Sequence, residues 1–286
     1  MKKRILGMAM ACMMAVTSLA GCGSGSSKSD KKVLRVGMEC AYAPFNWTQE
    51  SQDLSDGTKA VKIYGTDFYA YGYDVAVAKK LADEMEMDLE VHKVEWSSIG
   101  MAMDAGEYDC IIAGMGKTSE REKSYAFTDV YYYRSNCLVV KKGSEFEDCK
   151  GLSDLKGKNV KVTTQLGTGW IDLLDQIPDG KTGTNYETTS ECFMSIQNGT
   201  TDVCIIDLPT ALAAQSTNPD LVIIELDPND AFEGDEEMTN VCIATRKDDT
   251  ELRDKLQKTM DDIGWNDKAE MDKLMEKMIK LMPSAE

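Results

Sequence analysis

From Lys32 onward the chain alternates short β-type runs with amphipathic helical stretches, and this rhythm narrows the fold more than any single motif. "VLRVGME" leads to the helical "YDVAVAKKLADEM", where Ala78, Leu81, Ala82 and Met85 recur at helical spacing. "LEVHKVE" and "DCIIAGM" follow as strand-like runs. Such alternation predicts a mostly parallel sheet covered by helices. A second set, "KNVKVTTQ", "DVCIIDLPTALAAQ" and "LVIIEL", is flanked by the strand-like "NCLVVKK" and "NVCIATR". The chain is therefore expected to cross twice between two α/β lobes, residues 32–135 with 239–286 and residues 136–238, with hinge strands near Arg134 to Val139 and Glu237 to Val241. Residues 49–71 interrupt the first lobe with a polar stretch holding a hairpin, and the last 40 residues or so read as two helices with apolar stripes at Leu252, Leu256 and Met260 and at Leu274 and Met278.

The N-terminus carries Lys2, Lys3 and Arg4 ahead of "ILGMAMACMMAVTSLAG", too short an apolar run for a stable spanning helix, and it reads as an export signal over residues 1–21. "LAGC" at Leu19 to Cys22 resembles a bacterial lipobox, which implies lipid on the Cys22 thiol, and residues 22–31 then form a Gly/Ser tether. Localisation on the extracytoplasmic side of the cell membrane follows as an expectation. Removing three basic residues takes the net charge from -17 to -20, a balance that argues against nucleic acid. Of nine cysteines, Cys12 falls in the signal and Cys22 at its end; the other seven include no CxxC pair and sit largely in apolar runs, as core thiols do.

"AGMGKTSER", residues 113 to 121, looks like a phosphate loop but lacks the glycine such a loop needs at position 111, which is Ile111. What remains is a strand end, two glycines allowing close backbone approach, and "SERE", in which Ser119 and Glu122 are expected to cap a short helix. Backbone amides there favour an anion, and Arg121 adds a planar fork suited to a carboxylate.

The stretches "LRVGMECAYAPFNW", "GYDVAVAKKLA", "AMDAGEYDCIIAGMGKTSEREKSYAFTDVYY", "LKGKNVKVTTQLGTG", "TTDVCIIDLP" and "IATRKDDTELRDKL", in this order, resemble the extracellular solute-binding proteins of polar amino acid ABC transporters across essentially the whole mature length. The resemblance implies a two-lobe periplasmic-binding fold of type II and a free amino acid held between closing lobes, delivered to the permease subunits of an importer. It implies that Arg121 binds the ligand's α-carboxylate, helped by Gly167, Thr168 and Gly169, and by the amide of Gly116 where the family often has a hydroxyl. Asp207 is matched to the acid that binds the α-ammonium, with the Gly114 carbonyl beside it. Tyr42 and Trp96 would wall the side-chain pocket, Glu39 would sit at its far end and Gln165 would add a hydrogen bond. A carboxylate near aromatic faces favours a basic or amide side chain, and Lys117, if turned inward, opposes a cation.

The single histidine, His92, lies in a strand-like run, so a Ser-His-Asp relay or zinc cluster is not expected, nor is any cofactor. The chain is expected to be a monomer and not an enzyme. The alternatives on the same fold are a cyclohexadienyl-dehydratase-like catalyst with Glu39 as its acid, and a sensory binding protein.

Overall fold

The computed structural model describes residues 31–234 and 236–282; the export signal, Cys22 and the tether up to Asp30 lie outside the described residues. β1 (Val33–Met38) opens the first sheet. The polar stretch that follows forms more than a hairpin. β2 (Ala41–Tyr42), β3 (Asn46–Gln49), β4 (Val61–Lys62) and β5 (Tyr69–Tyr71) make a small antiparallel sheet in the order β2-β3-β5-β4. Then come α1 (Tyr73–Glu84), β6 (Asp88–Lys93), α2 (Ile99–Asp104), β7 (Cys110–Ile111), α3 (Arg121–Ser124) and β8 (Tyr125–Tyr133). The chain crosses to β9 (Asn136–Lys141), β10 (Lys161–Thr163), β11 (Lys181–Thr182), α4 (Thr189–Gln197), β12 (Val203–Asp207), α5 (Leu208–Thr217) and β13 (Leu221–Ile224). It returns through α6 (Glu236–Thr239) to β14 (Asn240–Arg246) and ends in α7 (Thr250–Asp262) and α8 (Lys268–Leu281).

Two five-stranded sheets result, ordered β6-β1-β7-β14-β8 and β11-β10-β12-β9-β13. In each, one strand opposes its neighbours on both sides: β14 in the first sheet and β9 in the second. The remaining strands of each sheet share one direction, which is the mostly parallel pattern expected. The reversed strand is in both cases the one that enters straight after a crossing. It comes in from the edge where the parallel strands end, so it must run against them. Tyr133, ending β8, pairs with Asn240, and Asp207, ending β12, pairs with Asn136. Both crossings therefore lie at the carboxyl ends of parallel strands, where open α/β sheets place their ligand sites. The crossings also hold each other, since the Arg134 amide donates to the Thr239 carbonyl at 3.0 Å.

Helix faces follow the apolar spacing. α1 buries Val75, Ala78, Leu81 and Ala82, and α8 buries Met271, Met275 and Met278, one stripe over two turns. The seven cysteines of the described body are free thiols and all are buried, consistent with their apolar runs. No described helix is long and apolar enough to cross a membrane.

Candidate functional site

The loops at the strand ends of the two sheets meet around one cavity. Glu39, Tyr42, Trp96, Gly114 and Arg121 line it from the first sheet's side, and Gln165, Thr168 and Gly169 from the second. Gly116, Gly167 and Asp207, also expected there, are not among the lining residues. Arg134, Trp170 and Met238 line it too and were not anticipated. The space open to the centre of a water-sized sphere is about 20 Å³, room for a water molecule but not for an amino acid. Entry therefore requires the two sets of loops to part.

Arg121 stands at the start of a one-turn helix. The expected cap does not form. Ser119 donates its amide (2.9 Å) and its hydroxyl to Glu237 instead, and the Arg121 amide finds the Thr118 hydroxyl at 3.2 Å. The residue preceding the helix, Glu120, makes no side-chain cap bond. So short a helix has little dipole to offer, and anion recognition falls on the guanidinium. That group donates to the carbonyls of Gly116 (2.9 Å) and Gly167 (3.2 Å), one from each sheet's loops, and lies 5.3 Å from the Trp96 ring centre. The Trp96 indole donates to the same Gly167 carbonyl at 3.1 Å. Burial, and secondarily the neighbouring Arg134 cation, lowers the Arg121 pKa to about 10, so it remains charged at neutral pH. Lys117 is turned to Glu122 at 3.1 Å and is not among the lining residues.

Gly114 occupies a left-handed turn, φ 62°, and a Cβ there would lie 2.5 Å from a Tyr42 ring carbon, so only glycine fits. Its amide donates to the Tyr131 hydroxyl at 3.0 Å, which donates in turn to the buried Asp74 at 2.7 Å; Asn46 donates to the other Asp74 oxygen at 2.7 Å. This buried network fixes the turn from below.

Asp207 is fully buried. One oxygen caps α5 by accepting from the Thr210 amide at 2.9 Å. The other accepts a hydrogen bond from the Tyr42 hydroxyl, which itself accepts from Arg134 Nη1 at 2.9 Å. A hydroxyl thus links the carboxylate to a guanidinium. Arg134 Nη1 also donates to the Gly114 carbonyl at 3.0 Å, Nε donates to the Met238 carbonyl at 2.9 Å, and the group lies 5.0 Å from the Trp170 ring centre.

At the far end, Glu39 is 5 % exposed and accepts from Gln165 Nε2 at 3.0 Å, which donates as well to the Glu187 carbonyl at 2.8 Å. The Thr168 hydroxyl is spent on the Gln165 carbonyl at 2.7 Å. Burial pushes the Glu39 carboxyl up to about 8 against the opposing effect of Gln165, so it is chiefly the neutral acid at pH 7. An unfolded chain would ionise it near 4.5. Its native protonation therefore supports folding fully at low pH, and that support drains away as pH rises from about 4.5 towards 8. Glu39→Gln removes this dependence while keeping the Gln165 bond. In urea unfolding, the stability of the variant relative to the wild type is expected to rise by about 2 kcal/mol between pH 5 and pH 7. An unchanged gap would show that Glu39 is ionised in the fold.

Residues 34–280 match the family model for bacterial extracellular solute-binding proteins, family 3. Among relatives, the arginine-binding extracellular protein ArtP of Bacillus subtilis (strain 168) is 30% identical over 279 residues, covering 97% of this chain and 98% of ArtP. Among solved structures, the amino acid ABC transporter substrate-binding protein AbpA of Streptococcus pneumoniae, bound to L-arginine, superposes with TM-score 0.70 at 25% identity, over 88% of this chain and 97% of AbpA. The ancestral amino acid-binding protein AncCDT-1, a precursor of cyclohexadienyl dehydratase, superposes with TM-score 0.66 at 26% identity, over 86% and 95%.

Proposed function

We propose that this chain, which belongs to the bacterial extracellular solute-binding proteins of family 3, binds a free amino acid between its two sheets and delivers it to the permease of an ABC importer. The observation that carries this reading is Arg121, a guanidinium with no carboxylate partner among the described residues, reaching carbonyls from both sets of loops across one cavity. A ligand carboxylate supplies the missing partner. Because Arg121 and the Gly167–Gly169 turn both contribute, the ligand favours the closed arrangement over the open one, which is what drives closure. The lobes are residues 32–135 with 239–286 and residues 136–238, and the paired crossings at Arg134 and Thr239 are the hinge. The export signal and the lipid on Cys22 would hold the body, as a monomer, outside the membrane.

A thermal-shift screen with the twenty amino acids tests the proposal, since a tight ligand raises the melting temperature by mass action. At least one should shift it by several degrees at millimolar concentration, and a flat panel would refute the reading. Glu39, held in its acid form, is the one observation favouring a dehydratase-like catalyst, as a general acid must keep its proton near neutral pH. Incubation with prephenate or arogenate separates the two: the binding-protein reading expects no turnover.

A further inference from the structure

Two guanidiniums, not one, face this cavity. Arg121 and Arg134 both line it, and every hydrogen bond they make among the described residues goes to a carbonyl or to the Tyr42 hydroxyl. Neither has a carboxylate within ion-pair reach among the described residues. Arg134 uses Nε and Nη1 on Met238, Tyr42 and Gly114, which leaves Nη2 without an acceptor among the described residues. The nearby acids offset them only in part, since one carboxylate reaches them and does so only through the Tyr42 hydroxyl. Asp207 is withdrawn behind Tyr42 and committed to capping α5, and Glu39, at the far end beside Gln165, is mostly the neutral acid.

This charge pattern discriminates among ligands. The α-carboxylate of any amino acid can satisfy Arg121, but it leaves Arg134 desolvated on closure with its outer edge unpaired. A basic side chain would bring a further cation into that space. A second carboxylate offers the Nη2 edge an acceptor and neutralises the remaining charge. The ligand's ammonium can share the Gly114 carbonyl, whose oxygen has a second lone pair beside the one Arg134 uses.

We infer that Arg134 is the specificity-determining residue of the cleft, selecting an amino acid that carries a second carboxylate over its isosteric amide and over basic amino acids. The inference rests on the amino acid reading of the same site. It reverses the expectation of a basic or amide side chain, which treats Glu39 as a charged carboxylate and gives Arg134 only a hinge role.

Calorimetric titration of the purified protein with L-glutamate, L-aspartate, L-cystine, L-glutamine and L-arginine tests it, the first three differing in the span between carboxylates. At least one of those three should bind ten-fold or more tighter than both glutamine and arginine. Arg134→Gln should weaken that ligand about 100-fold, at least ten-fold more than it weakens glutamine. Arg134→Lys, which keeps the charge but loses the fork, should preserve the order of ligands with a smaller gap. Tighter binding of glutamine or arginine by the wild type overturns the inference, as does an equal loss for all ligands in Arg134→Gln. These outcomes presuppose some amino acid binding; a wild-type protein that binds none of the twenty sinks the parent proposal instead.

Discussion

Arg121→Ala is expected to weaken binding of every α-amino acid by two to three orders of magnitude in calorimetry without unfolding the protein. On closure the ligand carboxylate loses its water, and the guanidinium is the group that compensates it; removing one partner of such a buried pair costs about 3–5 kcal/mol, and each 1.4 kcal/mol is a factor of ten. The fold should survive because, among the described residues, the arginine's own hydrogen bonds go to the Gly116 and Gly167 carbonyls, at part-buried and exposed positions where water can replace them. The loss should be uniform across ligands, since the α-carboxylate is common to all. A loss confined to one side-chain class would move Arg121 to the side-chain end of the site.

Asp207→Ala is expected to cost about 3–5 kcal/mol of folding stability, read as a lower urea midpoint. The substitution removes the side-chain cap of α5, worth about 1 kcal/mol, and deprives Tyr42 of its acceptor in a fully buried setting. It also strips the Tyr42-linked Arg134 cation of its nearest compensating charge. Asp207→Asn separates these effects, because an asparagine oxygen still caps the helix while the charge is gone. Its cost should fall between those of wild type and alanine. If alanine costs less than about 1 kcal/mol, the carboxylate is not compensating Arg134, and the relay through Tyr42 carries no energetic weight.

The two-sheet architecture was legible because it rests on local patterning: strand runs of four to seven residues, helical stripes such as Ala78, Leu81 and Ala82, and the return of a strand-like run at Asn240–Arg246. The turn from Gly114 to Arg121 was legible for a similar reason, since strand end, glycines and arginine lie within nine residues. Arg134 was not. It sits in "YYYRSNC", where a lone arginine in a crossing strand looks like an edge residue meeting solvent. Its meaning comes from Tyr42, 92 residues earlier, and from the Gly114 carbonyl, which only the fold brings to it. Ser119 failed as a cap for a related reason, because Glu237, 118 residues later, takes its hydroxyl and amide. Glu39 shows the limit for charges: its place at the cavity was readable, but its protonation depends on burial, which a sequence does not state.

Closure driven by an anionic head group meeting Arg121 is the central requirement of this mechanism. Titrating the purified protein with its best amino acid ligand and with the α-carboxamide of that same amino acid examines this requirement alone, because the two differ only at the atoms Arg121 is said to hold. The free acid should bind with micromolar or better affinity and the carboxamide at least 100-fold more weakly. Comparable affinity for both would contradict it.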